Sequence, residues 1–176
     1  NFDDCQAIVK QLFFELKPSN IILSSANSIN IGRLIPQIVY YMYSYLELAK
    51  TGKIKENEKI NVSVPSGNFG NIYAAYLAKS MGVPINKLII ASNQNNVLTE
   101  LFNTGVYNSK RKLNVSYSPS MDILVSSNFE RYLYDLVNQD QKRVKDIMEE
   151  LSDKGSVFVK ELLTQKDFYA DYCTEE

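Results

Sequence analysis

Apolar positions recur every three or four residues in some stretches of the chain and run together in others, and the two patterns alternate. Ile8, Leu12 and Leu16 stand four residues apart behind Asp3 and Asp4, which predicts a first helix capped by an aspartate. Lys17-Pro18-Ser19-Asn20 ends it, and Asn20-Ile-Ile-Leu-Ser24 reads as a short strand covered on both faces. Ile31, Leu34, Ile35, Ile38, Met42, Tyr45, Leu46 and Ala49 mark one face of a second helix. Proline is tolerated only in a first helical turn, so Pro36 sets the start of that helix near Arg33–Ile35, and Gly52 supplies its C-terminal cap. Ile60–Pro65 alternates as a strand, a helix follows from about Asn71 to Met81, and Lys87–Ala91 is a second strand. Strand, helix and strand in that order imply parallel pairing through a right-handed crossover. Further elements are a helix over 97–102, a turn at Gly105, a strand near 115–118, and helices over 122–139 and 140–152. The fold class is α/β: a mostly parallel open sheet with flanking helices and a helical C-terminal quarter. Residues 1–135 would carry the sheet and its loops, and residues 136–176 a charged helical continuation of the same domain.

Composition narrows the chemistry. A length of 176 residues with 45% hydrophobic and 22% charged content suits one ordinary folded domain. Zero histidines exclude a Ser-His-Asp triad, a histidine base and any histidine-ligated metal within the chain. A net charge of −1 gives no basic stripe, so nucleic acid is not an expected partner. Cys5 and Cys173 make neither a zinc-ligand spacing nor a disulfide framework. The most apolar stretch, Ile29–Leu48, is broken by Arg33, Pro36 and Glu47, so no membrane contact is expected; no secretory leader is visible, and the expectation is a soluble cytoplasmic protein. The chain opens on Asn1 rather than Met, which reads as a piece of something longer.

Two loops follow strand ends, where open parallel sheets bind ligands. Ser66-Gly67-Asn68-Phe69-Gly70-Asn71 lies between a strand and a helix N-terminus, whose unpaired N–H groups and partial positive charge favour a phosphate. Gly67 and Gly70 would let the backbone approach an anion, and Asn68 and Asn71 could add side-chain donors. The spacing matches neither a Walker loop nor the dinucleotide fingerprint, and a tight turn whose glycines serve backbone geometry fits it equally well. In the second loop, Ser25, Asn27, Ser28 and Asn30 could face the same crevice and Arg33 could pair with an anionic substrate group. The competing reading makes Ser28 or Asn30 a helix cap and Arg33 a surface charge. Asn93–Asn96 reads as a cap and solvated loop or as a further crevice wall, and Asp122 as a capping residue.

Four blocks in order resemble the threonine synthases. They are Asn1-Phe-Asp-Asp-Cys-Gln6, Ala26-Asn-Ser-Ile-Asn-Ile-Gly-Arg33, Pro65-Ser-Gly-Asn-Phe-Gly-Asn71, and Ser118-Pro-Ser-Met-Asp-Ile123 with Ser126-Ser-Asn-Phe-Glu-Arg131. The resemblance covers roughly residues 1–135 and weakens afterwards. It implies a fold-type II pyridoxal 5'-phosphate enzyme that converts O-phospho-L-homoserine and water to L-threonine and phosphate. It places the cofactor phosphate on Gly67, Asn68, Phe69, Gly70 and Asn71, with Ser66 beside them, and Asn27, Ser28, Asn30 and Arg33 near the substrate.

The departures bear on activity. Threonine synthases carry their Schiff-base lysine in a Phe-Lys-Asp context, and no lysine here has one. Their C-terminal Pro-His segment has no counterpart either. The expectation is therefore an internal segment that supplies the phosphate loop, holds no catalytic residue, is inactive alone, and could self-associate through exposed sheet edges. The alternatives are another fold-type II enzyme, such as a serine/threonine dehydratase or cysteine synthase, or a non-catalytic module that binds a phosphorylated ligand.

Overall fold

A computed structural model describes residues 2–16 and 22–174. Its elements are α1 (Phe2–Glu15), α2 (Ile31–Leu34), α3 (Ile38–Lys50), β1 (Ile60–Pro65), α4 (Gly70–Ser80), β2 (Ile85–Ser92), α5 (Val97–Thr104), β3 (Val106–Asn108), α6 (Phe129–Leu136), α7 (Gln141–Lys154), β4 (Ser156–Phe158) and β5 (Phe168–Tyr172). Three strands form a parallel sheet in the order β1-β2-β5, with Val64 opposite Ile90 and Ile90 opposite Ala170. All three strands run the same way, so their carboxyl ends share one edge, where the 66–69 and 93–96 loops begin. The small antiparallel pair β3-β4 aligns Tyr107 with Val157.

The core follows from side-chain size. Ala74, Ala75 and Ala78 bring α4 close to the sheet residues Val64, Leu88 and Ile90, all buried. Phe69, Phe102, Phe129, Tyr132 and Phe168 fill the space where α4, α5, α6 and β5 meet. Gly105 ends α5 at φ 76°, and a Cβ there would lie 3.2 Å from the Val159 carbonyl, so both backbone angle and space call for glycine.

The α/β class and the β1-α4-β2 unit agree with the sequence pattern, and several elements differ from it. Asp3 and Asp4 fall within α1, which already begins at Phe2, and Ile8, Leu12 and Leu16 are exposed because no element covers that face among the described residues. The strand expected at 20–24 falls partly outside the described residues; Ile22–Ser24 form no strand, and Ile22 is 96% exposed. Pro36 does lie in a first turn, that of the 3-10 helix Ile35–Gln37 leading into α3. α2 begins earlier, on an Asn30 cap. No strand forms at 115–118, where backbone groups bond to side chains instead of a neighbouring strand: the Ser116 N–H donates to Asp122 at 2.9 Å. Residues 122–128 are loop rather than helix. The C-terminal quarter is not wholly helical, because β4 and β5 lie in it and β5 completes the main sheet.

Candidate functional site

Pro65 ends β1, and the Ser66 N–H still donates to the Ala91 carbonyl of β2 at 3.0 Å. Three residues then turn the chain into α4. Phe69 sits in the left-handed region at φ 64°, uncommon for a bulky residue, and its side chain is 1% exposed. Its ring lies 5.6 Å from those of Phe102 and Phe168 and 5.8 Å from that of Phe129. The aromatic cluster thus holds a backbone conformation that the loop alone would not adopt.

That turn sorts donors from acceptors. The Gly67 carbonyl accepts from the Ser126 hydroxyl at 2.7 Å, the Asn68 carbonyl from the Asn128 N–H at 3.1 Å, and the Phe69 carbonyl from the Tyr73 N–H at 3.0 Å. The N–H groups of Gly67 through Asn71 have no acceptor among the described residues. α4 has no acidic residue in its first turn and no side-chain cap, so the positive end of its dipole is uncompensated. Five consecutive free donors at a helix N-terminus can hold an anion.

The glycines serve this loop in a way that its spacing did not show. A Cβ on Gly67 would lie 2.9 Å from the Ile123 side chain, and one on Gly70 3.2 Å from the Asn128 amide. Both glycines thus pack closely on the 123–128 loop, where a side chain at Gly67 would have to displace the Ile123 Cδ1 methyl and one at Gly70 would crowd the Asn128 amide. Asn71 turns its amide to α3 and the 3-10 turn before it, donating to Gln37 at 2.7 Å and accepting from the Tyr41 hydroxyl, so its side chain is committed. The Asn68 amide donates to the Ser28 hydroxyl at 3.3 Å and accepts from the Ser127 hydroxyl at 3.1 Å.

Of the second loop's candidates, Ser28 alone bonds to the first loop. The Asn27 side chain accepts from the Ile29 N–H and the Ser25 hydroxyl, each at 3.0 Å, which shapes its own loop. Asn30 caps α2 by accepting from the Gly32 N–H at 2.8 Å. Arg33 is exposed and donates one guanidinium N–H to the Ala26 carbonyl at 2.8 Å.

Asn128, given no role by sequence reasoning, joins the two loops. Fully buried, it donates its side-chain amide to the Ser28 carbonyl at 3.0 Å and accepts from Arg131 Nε at 3.0 Å. Arg131 reaches on to the Ile29 carbonyl at 2.8 Å. The available signal was Ser126-Ser-Asn128 ahead of an apolar helix face: polar residues there need buried partners.

A second buried polar group sets the position of Ile123, the residue packed on Gly67. Asp122 accepts from Asn93 and Asn95 at 2.8 Å each, from the Ser116 hydroxyl at 2.7 Å and from the Ser116 N–H. Burial pushes its carboxyl up, but these hydrogen bonds, led by those from Ser116, outweigh it and hold the carboxyl below its ordinary 3.8. A depressed folded value means that the stabilisation is complete above the unfolded value and fades as pH falls through the folded one. Acidification below about pH 4 is therefore expected to loosen residues 93–95 and 114–123 early, visible as faster amide exchange, and Asp122→Asn should flatten that dependence. An unchanged acid profile in the variant would show that Asp122 is not the group responsible.

Among the described residues no helix is long and apolar enough to cross a membrane, no cluster of acidic or thiol groups could hold a metal, and Cys5 and Cys173 are unpaired.

No family model matches the chain. Threonine synthase-like 1 of Homo sapiens is 45% identical over 186 residues, a match covering 99% of this chain and 25% of that protein. The threonine synthase of Schizosaccharomyces pombe is 46% identical over 144 residues, covering 76% of this chain and 27% of the yeast protein. The crystal structure of a PLP-bound threonine synthase from Brucella melitensis superposes with a TM-score of 0.85 at 40% identity, over 99% of this chain and 37% of that one. The chain thus spans about a quarter of the length of the curated relatives it matches. It is, from end to end, a homologue of part of the threonine synthase polypeptide.

Proposed function

We propose that this chain is the cofactor-phosphate-binding part of a fold-type II pyridoxal 5'-phosphate enzyme, a threonine synthase acting on O-phospho-L-homoserine and water to give L-threonine and phosphate. The observation that carries the proposal is the run of five N–H groups, Gly67 to Asn71, without an acceptor among the described residues at an uncompensated helix N-terminus. This donor set fits a phosphate dianion, and no Asp or Glu lies within Ser66–Asn71 to oppose it. The relatives and the PLP-bound structural neighbour support the same cofactor.

When bound, the cofactor supplies an electron sink for carbanion chemistry at the substrate. The chain's own contributions are binding and orientation. The Gly67–Asn71 amides hold the phosphate, while Ser126 and Asn128 keep the opposing carbonyls engaged elsewhere. Phe69 fixes the loop's backbone through the aromatic core, so the phosphate is held in one place and orientation is set before reaction. Ser28 and Asn68 bring the second loop alongside; Asn27 and Asn30 shape it, and Arg33 keeps guanidinium donors available for an anionic group of the substrate. In this reading the chain alone turns over no substrate, because none of its lysines has the Phe-Lys-Asp context of the family. Its free thiols suit the cytoplasm. Copies of the chain would self-associate through the edges of its sheet, which are β1 and β5 among the described residues.

The test uses 4-deoxypyridoxine 5'-phosphate, which lacks the aldehyde and so forms no lysine adducts. Its addition is expected to shift the amide resonances of Gly67–Asn71 saturably, whereas 4-deoxypyridoxine without phosphate leaves them in place. The same preparation should release no phosphate from O-phospho-L-homoserine. Shifts confined to other residues, or none, would remove the cradle as the phosphate site; turnover would refute the inactivity.

A further inference from the structure

Away from the phosphate loop, two depressions of about 440 Å³ each adjoin between the C-terminal halves of α4 and α6 and share Tyr76, Asp135 and Asn138. We propose that this groove binds a small primary ammonium ion, held by the Asp135 carboxylate and the Tyr76 and Tyr132 hydroxyls, with its alkyl part against the tyrosine rings.

Charge gives the first reason. Three carboxylates border the groove, and two have cationic partners: Asp167 with Lys79 at 2.8 Å, and Glu161 with Arg143 at 3.1 Å. Asp135 has no ion pair among the described residues; its bond is from the neutral Tyr73 hydroxyl, at 2.8 Å, to one oxygen. An uncompensated carboxylate beside a low-dielectric wall attracts a cation.

An independent reason is Tyr132. Its side chain is 2% exposed, it lines the groove, and its hydroxyl has no hydrogen-bond partner among the described residues. The ring is buried while the hydroxyl oxygen still reaches the groove, so a donor bound there can hydrogen-bond to it. Tyr76 stands on the neighbouring wall, its phenol bonded to Ser80 and its ring meeting that of Tyr132 edge to face at 5.1 Å. Burial, with the negative charge of Asp135 and Asp167, raises both phenols above their ordinary value, so both stay neutral and can accept.

The ligand class follows from the donor count. A primary ammonium brings three N–H donors to one carboxylate and two phenol oxygens, and aromatic faces add cation–π attraction. A metal ion is a poor match, because the described residues contain no cluster of three or more His, Cys, Asp or Glu side chains able to ligate one. The inference does not depend on the phosphate cradle, whose residues it does not use.

The probe is n-butylammonium chloride, added to the intact chain and followed by the aromatic resonances of Tyr76 and Tyr132, with n-butanol as the uncharged control. Saturable shifts with the ammonium and none with the alcohol are expected. Asp135→Asn should weaken binding at least about tenfold, and Tyr132→Phe, which keeps the ring packing, about threefold. Preserved amide spectra outside the groove show that both variants fold, and Gly67–Asn71 should not respond. Equal shifts with butanol, no saturation, or unchanged affinity in Asp135→Asn would overturn the proposal.

Discussion

Replacing Phe69 with alanine is expected to destabilise the chain by about 3–5 kcal/mol, the usual cost of removing a fully buried phenylalanine. The side chain is 1% exposed, and its ring touches four others, of Phe102, Phe129, Tyr132 and Phe168, contributed by three separate elements. A compensating gain is hard to find. Phe69 sits at φ 64°, but alanine also carries a Cβ and keeps the strain of that conformation, on the order of 1–2 kcal/mol. Glycine would relieve the strain yet loses the same ring and adds freedom to the unfolded chain, so Phe69→Gly should fall within about 1 kcal/mol of Phe69→Ala. Against a total stability of about 5–15 kcal/mol, either change is a large fraction. Urea denaturation measures it as a lower midpoint at an unchanged slope. A loss below about 1 kcal/mol for Phe69→Ala would show that the aromatic cluster does not hold the loop. The variant should also exchange the Gly67–Asn71 amides faster, since the ring that fixes their backbone is gone.

Phe69 also shows what was legible in the sequence and what was not. Its place after a strand and before a helix was readable from alternation in Ile60–Pro65 and periodicity in 72–79, because those patterns report local geometry and one buried face. The candidate cradle could be located for the same reason. Its internal wiring could not, since bonds such as Asn128 to Ser28 join residues a hundred positions apart, and nothing in local spacing encodes them. The helix expected over 122–139 failed on this point. Ser126 and Asn128 spend their groups on the two loops, so the helix begins only at Phe129. Charge misled in a different way. Asp167 and Asp171 flank and interrupt Phe168–Tyr172, and the segment looked like the end of a solvated helical region. Yet Phe168 and Ala170 are buried, and the segment pairs with β2 throughout its length. A strand at a sheet edge can keep alternate charged positions in water, and only its pairing shows that it is a strand. The Gly67 and Gly70 pair is the intermediate case: the residues were located from sequence, whereas their packing on Ile123 and Asn128 emerged from tertiary contact.

Asn128→Asp should separate the structural role of the clamp from its electrostatic one. The substitution is nearly isosteric and retains the backbone bond to Asn68 and the acceptor for Arg131, which becomes charge-assisted. It removes the amide donor to the Ser28 carbonyl and sets carboxylate oxygen against carbonyl oxygen there. Asn128→Ala loses both side-chain bonds and leaves the part-buried Ser28 carbonyl without that donor, at about 1–3 kcal/mol. The aspartate is therefore expected to be the less destabilised of the two if the Arg131 pair offsets the lost donor. Anion binding should rank them the other way. The Asn128 amide lies against Gly70, within the cradle's wall, so a carboxylate placed there repels a phosphate dianion while alanine adds no charge. With an effective dielectric near 20, a carboxylate and a phosphate dianion less than about 10 Å apart repel by more than about 3 kcal/mol. The Arg131 partner and salt offset part of this, so at least a roughly tenfold loss of affinity for 4-deoxypyridoxine 5'-phosphate is expected at low salt. Screening should shrink the gap between the variants as ionic strength rises. If alanine weakened binding as much as aspartate at every salt concentration, the clamp would act only through geometry, and the proposed field at the helix N-terminus would not be what holds the anion.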